Sequence, residues 1–404
     1  MTLWVDVGDL MGYSGVFRRP SGVQRVVFEL CQALAACEGR AIGFVRHGDR
    51  GFERVAWAAI AAMFDALADN VAPPLPTTTW RLQLQALGAL WAIPRSFLPG
   101  KDTSSKAAMQ RGDMLLVAGA GWSDPDHVAQ VEHARARHGL TVALLVYDII
   151  PVLRPEWFDP VQSGRFRRWL DGMLAIADRL LAISNATAGD VAAYRAATDL
   201  PDRAVHVVRL GDGLPHTGLT LPDGIDRPYA LFVSTIEIRK NHALLVDVWR
   251  RLLSDLGPEH VPALVFAGRQ GGLTGDLMRQ LDASHFLGGH VIARPGASDG
   301  EMAALYRGCR FTLFPSLYEG WGLPVAESLA FGRPCLASRA SSVPEVGGDL
   351  VRYFDPLDPD DCARAVAEVL ADPDGLAAWE ARIAREYRLV PWSRTAAMVL
   401  DGVA

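Results

Sequence analysis

Phe311-Thr-Leu-Phe-Pro315-Ser-Leu-Tyr-Glu319-Gly-Trp-Gly-Leu-Pro324-Val-Ala-Glu327 carries two carboxylates eight residues apart, separated by a glycine loop and a proline. Phe311 to Pro315 is an apolar run with strand character, Gly320 and Gly322 permit an unusual backbone path, and Pro324 suits the first turn of a helix. Strand, glycine loop and helix in that order is an α/β unit. Free N–H groups at such a helix start attract anions, and flanking carboxylates accept hydrogen bonds from sugar or ribose hydroxyls. The layout suits a sugar joined to a phosphate. Glutamates at this spacing also decorate solvated surfaces, so the surrounding residues must decide between the two readings.

Working outward, the same alternation recurs on both sides. The N-terminal half offers strands at Leu3 to Val7, Ala41 to Val45, Met114 to Ala118, Val142 to Val146, Leu180 to Ser184 and Val205 to Val208. Helical patterns fall near 23–35, 126–138, 161–177 and 187–196. The C-terminal half offers strands at Tyr229 to Ser234, Ala263 to Ala267, Val291 to Ala293, Phe311 to Pro315, Cys335 to Ala337 and Val351 to Phe354, with helices near 241–253, 299–307, 324–331 and 360–370. Such alternation predicts two mostly parallel, doubly wound sheets with a ligand cleft between them. The expected division is a first domain over 1–212, a Gly/Pro/Asp/Thr-rich linker over 213–228, a second domain over 229–388, and a helix over 389–404 that crosses back to the first. Residues 51–112 resist this scheme. Pro73, Pro74 and Pro76 interrupt it, and Trp80, Arg81, Leu82, Leu84, Leu87, Leu90, Trp91 and Arg95 form a basic, aromatic stretch. That stretch reads as a helix pair packed on the first domain, with contact to lipid headgroups as the competing view.

The chain of 404 residues has a net charge of -6. Residues 1–215 hold 22 basic and 22 acidic side chains, leaving 18 and 24 in the remainder. A neutral half joined to an acidic half lacks the concentrated basic surface that a nucleic-acid protein needs. Five cysteines without a Cys-x-x-Cys pair or zinc spacing read as free thiols in a reducing cytoplasm. The first residues lack a basic n-region, which argues against a secretory signal, and no apolar stretch reaches the roughly 20 residues that span a bilayer.

A second informative segment is Phe232-Val-Ser234-Thr-Ile-Glu-Ile-Arg239-Lys240-Asn241, where a strand ends in small polar residues and two cations precede a helix. A forked guanidinium and a point-charge ammonium together can hold a diphosphate. This segment and the Phe-Pro-Ser-x-Tyr-Glu-Gly-x-Gly-Leu-Pro-x-x-Glu run resemble the donor-site signatures of retaining glycosyltransferases of family 4. The resemblance covers most of residues 1–390 and is strongest from Leu231 to Phe354. It implies a GT-B fold, two Rossmann-like domains facing across a cleft.

The resemblance further implies that Arg239 and Lys240 meet the donor's phosphates while Glu319 positions the sugar and Glu327 the ribose. Ser234, Gly268, Arg269, Arg294 and the Gly320, Trp321, Gly322 and Leu323 loop join this donor set, with the loop N–H groups facing phosphate. The first-domain loop Gly12 to Gly15 and Pro20-Ser21-Gly22 lies where family members place a glycine loop, so Gly22 is expected to approach phosphate; Arg25 is the weaker candidate. Tyr147-Asp148-Ile-Ile-Pro151 resembles a family segment that reads His-Asp-x-x-Pro, with tyrosine standing where histidine is expected. Tyr147 is expected either to hydrogen-bond the sugar or to mark a sugar lacking its 6-hydroxyl. Asp148 is an acceptor contact or a strand-end anchor, and counts among the candidate catalytic residues with Arg239, Lys240 and Glu319. Trp122, Asp124 and His127 are candidates for stacking on an acceptor and binding its hydroxyl, with helix capping as the plainer role of Asp124.

The expected activity is retaining, metal-independent hexosyl transfer. A mannose- or rhamnose-type sugar would leave a nucleoside diphosphate, GDP first and UDP or dTDP as alternatives, for a saccharide or lipid-linked acceptor in surface polysaccharide synthesis. Departure and attack on one face of the sugar is favoured, since no carboxylate is placed as a covalent nucleophile. No cofactor, metal or nucleic acid is expected, and the place of action is the cytoplasm, with peripheral contact at the membrane's cytoplasmic face. A nucleotide-sugar epimerase or a non-catalytic nucleotide-sugar-binding subunit are the competing functions.

Overall fold

A computed structural model of the chain describes residues 1–14, 22–48, 51–68, 106–212 and 224–404. The first sheet comprises β1 (Thr2–Asp6), β2 (Ala41–Gly48), β3 (Gly51–Val55), β4 (Met114–Val117), β5 (Thr141–Val146), β6 (Arg179–Ala182) and β7 (Val205–Val207), in the order β3-β2-β1-β4-β5-β6-β7. The second comprises β8 (Tyr229–Val233), β9 (Ala263–Ala267), β10 (Val291–Arg294), β11 (Phe311–Phe314), β12 (Cys335–Ser338) and β13 (Arg352–Phe354), in the order β10-β9-β8-β11-β12-β13. Pairing is parallel in both sheets except at the β2–β3 hairpin. Strands β4, β9, β11 and β12 are buried along their whole length, which is why they read as continuous apolar runs rather than as alternation.

Strand order reverses between β1 and β4 in the first sheet and between β8 and β11 in the second. Loops leaving the carboxyl ends of strands diverge at such points and open a crevice. The loop after β8 contains Ser234 to Asn241 and the loop after β11 contains Pro315 to Gly322, so topology brings the two sequence segments together.

The helix Gly22–Ala35 buries Val26, Val27, Leu30, Cys31 and Leu34, an apolar stripe with helical spacing. Against it packs the last helix, Trp392–Gly402, through Thr395, Ala396 and Val399. The Thr395 hydroxyl donates to the Arg209 carbonyl at 2.9 Å, and Arg40 donates to the Leu400 carbonyl at 3.2 Å. Asp212 pins the chain where it leaves and re-enters the first half: its carboxylate accepts from the Tyr387 hydroxyl at 2.7 Å and from the Val390 N–H at 3.0 Å.

Further polar ties among the described residues cross between the two halves. The Glu345 carboxylate accepts from the N–H groups of Asn185 and Ala186 and from the Asn185 amide, each at 2.8 Å, so it caps the start of the helix Asn185–Ala197 from the opposite domain. The Tyr318 hydroxyl lies 2.8–2.9 Å from both Asp190 oxygens, the Thr187 hydroxyl donates to the Gly320 carbonyl at 3.4 Å, and Arg25 pairs with Asp299 at 2.6 Å.

Several expectations meet a different or additional structure. Residues 51–55 add an antiparallel edge strand to the first sheet, followed by the helix Trp57–Ala68; this strand was missed because Phe52 and Val55 are its only buried residues. Helices Gly275–Ala283 and Pro373–Glu386 were likewise not foreseen. The Gly15, Pro20 and Ser21 positions, the aromatic and basic stretch within 69–105, and linker residues 213–223 lie outside the described residues. All five cysteines are free thiols, and burial pushes Cys309 and Cys335 up to about 12. No helix among the described residues is long and apolar enough to cross a membrane.

Candidate functional site

The loop after β11 turns into the helix Leu323–Ala330 at Gly322, with Pro324 in the first turn. The Glu319 carbonyl is fixed by the Ser341 and Ser342 hydroxyls, both at 2.9 Å, and its N–H donates to Ser341 Oγ at 2.8 Å. The loop after β8 closes on it: the Leu317 N–H donates to the Arg239 carbonyl at 2.8 Å. Asn241, at φ 60°, donates to the Pro315 and Pro356 carbonyls at 3.3 and 2.9 Å. Backbone ties therefore set the side chains of Arg239, Lys240 and Glu319 against one another.

Both Glu319 oxygens are engaged. Arg239 Nη1 donates to Oε2 at 2.9 Å, Lys240 Nζ pairs with Oε1, and Arg239 Nε pairs with Glu237 at 2.9 Å. Burial alone would raise the Glu319 carboxyl, yet the adjoining ammonium and guanidinium overcome that and hold it at about 2. Burial and the neighbouring Arg239 weigh against the Lys240 ammonium and lower its pKa, with Glu319 opposing them. A buried ion cluster of this kind is a poor stability device, since desolvation costs several kcal/mol per ion. It suits an anion site, because Arg239 and Lys240 still have N–H groups to offer after satisfying Glu319 and Glu237.

Gly320 packs against the end of β5. A Cβ there would lie 2.0 Å from the Tyr147 carbonyl oxygen and 3.0 Å from Asp148 Cβ, so only glycine fits where the domains touch. Asp148 accepts from the Ile150 N–H at 3.1 Å; burial raises its carboxyl, partly offset by Arg239. This places Asp148 at the junction of the two loops. Gly268 follows β9 with φ 155°, and a Cβ would sit 1.9 Å from the Ser234 carbonyl oxygen. Arg269 accepts at its carbonyl from the Ile236 N–H at 2.9 Å, and the Arg294 carbonyl accepts from the Gly268 N–H at 3.1 Å, so these residues line the same edge. Ser234 lies 3.3 Å from His242 Nε2, a ring that burial holds neutral with its pKa at about 3.

Glu327 is buried and accepts from the Tyr306 hydroxyl at 2.7 Å, and burial raises its carboxyl. Leu323 opens the helix, and Trp321 is buried with the Arg209 guanidinium 5.9 Å from its ring centroid. Gly22 begins the helix Gly22–Ala35, exposed, with nothing within 4 Å of an added Cβ.

The first-domain candidates are placed differently from expectation. The Tyr147 hydroxyl donates to the Ala118 carbonyl at 2.6 Å inside the core, which corrects the expectation of a phenol aimed at the sugar: a buried O–H takes the nearest interior acceptor. His127 is also buried, with Nε2 3.0 Å from Asp6 and Nδ1 accepting from the Trp169 indole at 3.2 Å, so both ring nitrogens are spent. Trp122 packs edge-on against Phe166 and Trp169, each 5.2 Å between centroids. Asp124 is exposed and accepts from the Asp126 N–H and the Gln130 amide at 2.9 and 3.0 Å, the turn role. None of these three bonds to the Arg239, Lys240 and Glu319 cluster. The sequence reading missed Glu237, Glu345, Asn185 and the Tyr318–Asp190 pair; Glu237, two residues before Arg239, and Tyr318, next to Glu319, had a local signal.

Residues 223–386 match the family model described as glycosyl transferases group 1. The serotype-specific mannosyltransferase WbdA of Escherichia coli is 29% identical over 295 residues, 68% of this chain and 36% of that protein. The O-antigen chain mannosyltransferase B of Escherichia coli is 31% identical over 144 residues, 36% of this chain and 37% of that protein. The chain thus spans about a third of the length of these curated relatives. Among solved structures, sucrose-phosphate synthase from Thermosynechococcus elongatus superposes with a TM-score of 0.62 at 16% identity, covering 99% of this chain and 98% of that one. HepE from Anabaena in complex with UDP superposes at 0.59 and 13% identity, covering 99% of both chains. The fold is GT-B, as the family resemblance implied.

Proposed function

Residues 223–386 carry a domain of the glycosyl transferases group 1 family, and from that premise we propose that the protein moves a mannose-type hexose or its 6-deoxy form from a nucleoside diphosphate, GDP first, to a saccharide or lipid-linked acceptor, with retention and without a metal. The observation that carries the reading is the pair of cations, half-buried Arg239 and buried Lys240, held against Glu319 where the second sheet's strand order reverses. The names of the WbdA and O-antigen relatives support a mannose-type sugar and a polysaccharide acceptor.

As the diphosphate departs, negative charge grows on its leaving oxygen while the anomeric carbon becomes cationic. A guanidinium fork and an ammonium already fixed in a dry site stabilise that charge without reorganising. Glu319, ionised above a pKa of about 2, holds both cations in place and offers a carboxylate to the sugar hydroxyls. Glu327, one turn into the helix, is set for the ribose, and Asp148 for the acceptor side of the junction. Closure of Gly320 against Tyr147 excludes water, which limits hydrolysis.

A thermal-shift panel of GDP, UDP, dTDP and their sugars tests the donor assignment, since a ligand of the folded state raises its apparent stability. GDP and GDP-mannose are expected to shift the midpoint most. A preference for UDP or dTDP would reassign the nucleotide, and no shift with any nucleotide would overturn the proposal.

A further inference from the structure

On the first domain, a cavity of about 410 Å³ lies between the β2–β3 hairpin, residues 106–109 and the helix His127–His138. Its floor is apolar, made by Phe52, Ala107, Met109 and Ala134, and its rim carries His47, Lys106, His133, Arg137 and His138, with no acidic residue among the described lining groups. Gln130, His133 and Arg137 recur at spacings of three and four and so share one helix face. Arg137 and His138 also sit in the helix's last turn, where cations offset the macrodipole. Among the described residues no ion pair is formed by Lys106 or Arg137. Lys106 and Arg137 beside an apolar floor suit a ligand that brings an anion on a small apolar body.

We infer that this cavity is a binding site for a phosphate ester, its phosphate met by Lys106 and Arg137 and its carbon body by Phe52, Met109 and Ala134. The site is separate from the donor cluster, with which it shares no lining residue. A phosphorylated soluble ligand and a lipid headgroup present the same chemistry. Neither needs the transfer reaction for the cavity to hold it.

The test uses the full chain and its Lys106→Gln/Arg137→Gln variant, both changes lying at exposed positions. Glycerol 1-phosphate is titrated calorimetrically, with the nucleoside diphosphate that tops the thermal-shift panel saturating the donor site. Flotation with phosphatidylglycerol and phosphatidylcholine vesicles forms the second arm. The expected result is binding to the wild type that weakens at least about tenfold in the variant, while nucleotide affinity is unchanged. Variant-sensitive binding to the soluble ester alone assigns a soluble phosphate ester; variant-sensitive flotation with phosphatidylglycerol but not phosphatidylcholine assigns a headgroup. Equal behaviour of wild type and variant in both arms would overturn the inference. Nucleotide affinity, measured in the same preparations, reports separately on the donor site.

Discussion

Replacing Gly320 by alanine isolates the contact on which domain closure rests. Gly320 does not have a left-handed backbone, so alanine brings little intrinsic strain. The new methyl would instead stand 2.0 Å from the Tyr147 carbonyl oxygen and 3.0 Å from Asp148 Cβ, on the other domain. A carbon and a carbonyl oxygen need roughly 3.3 Å, so the loops must part by about 1 Å. That movement strains the Thr187–Gly320 and Tyr318–Asp190 bonds. Overpacking of this kind costs about 1–3 kcal/mol. Charged against the closed, reacting state, it lowers kcat/KM for nucleotide-sugar turnover roughly 5- to 150-fold. Gly189→Ala is the control: the site is an exposed position of the helix Asn185–Ala197 with nothing within 4 Å, and alanine there should add up to about 1 kcal/mol of stability without changing turnover. Wild-type kcat/KM in Gly320→Ala would refute the view that this contact forms during the reaction.

Three further outcomes follow from the same geometry. Glu345→Ala removes the carboxylate that caps the helix Asn185–Ala197 across the cleft, costing the closed form about 1–2 kcal/mol; the radius of gyration by small-angle scattering should rise, and an unchanged value would contradict the cap. Because the folded Glu319 carboxyl is lowered to about 2, the stability it lends is complete above the unfolded value of 4.5 and fades as pH falls towards 2, by about 3 kcal/mol in all. Urea unfolding should therefore show the gap between wild type and Glu319→Gln narrowing from pH 6 to pH 3; a constant gap would rule out the ion pairing. Tyr147→Phe deletes the bond to the Ala118 carbonyl and should cost about 1–2 kcal/mol while leaving sugar preference untouched, whereas a changed preference would restore the phenol to the sugar site.

The strands were legible because parallel strands buried on both faces must be continuous apolar runs, and β8, β9, β11 and β12 are such runs. The meeting of Arg239 and Lys240 with Glu319 was legible only as the convergence of two loops. That both cations would bond Glu319 itself depends on a pairing 79 and 80 residues apart, which no local pattern encodes. Glu345 was invisible for the same reason, since its partners lie 159 and 160 residues away. His127 and Trp122 misled the reading in the opposite way. Their residue types suit acceptor chemistry, but Asp6 and Trp169 take up the ring nitrogens of His127, and Phe166 and Trp169 flank Trp122, so packing claims both.

The central claim, that Arg239, Lys240 and Glu319 together form the diphosphate clamp, is best tested by neutralising all three at once. Adding Glu237→Gln to Arg239→Met/Lys240→Met/Glu319→Gln removes the fourth charge of the cluster as well, so folding should survive as it does when buried ion clusters are exchanged for apolar groups of similar size. Calorimetric titration of GDP into this variant and the wild type should show affinity lost by at least about 100-fold, the worth of charge-assisted contacts to a diphosphate. Nucleotide affinity equal to that of the wild type in a variant that remains folded would contradict the account.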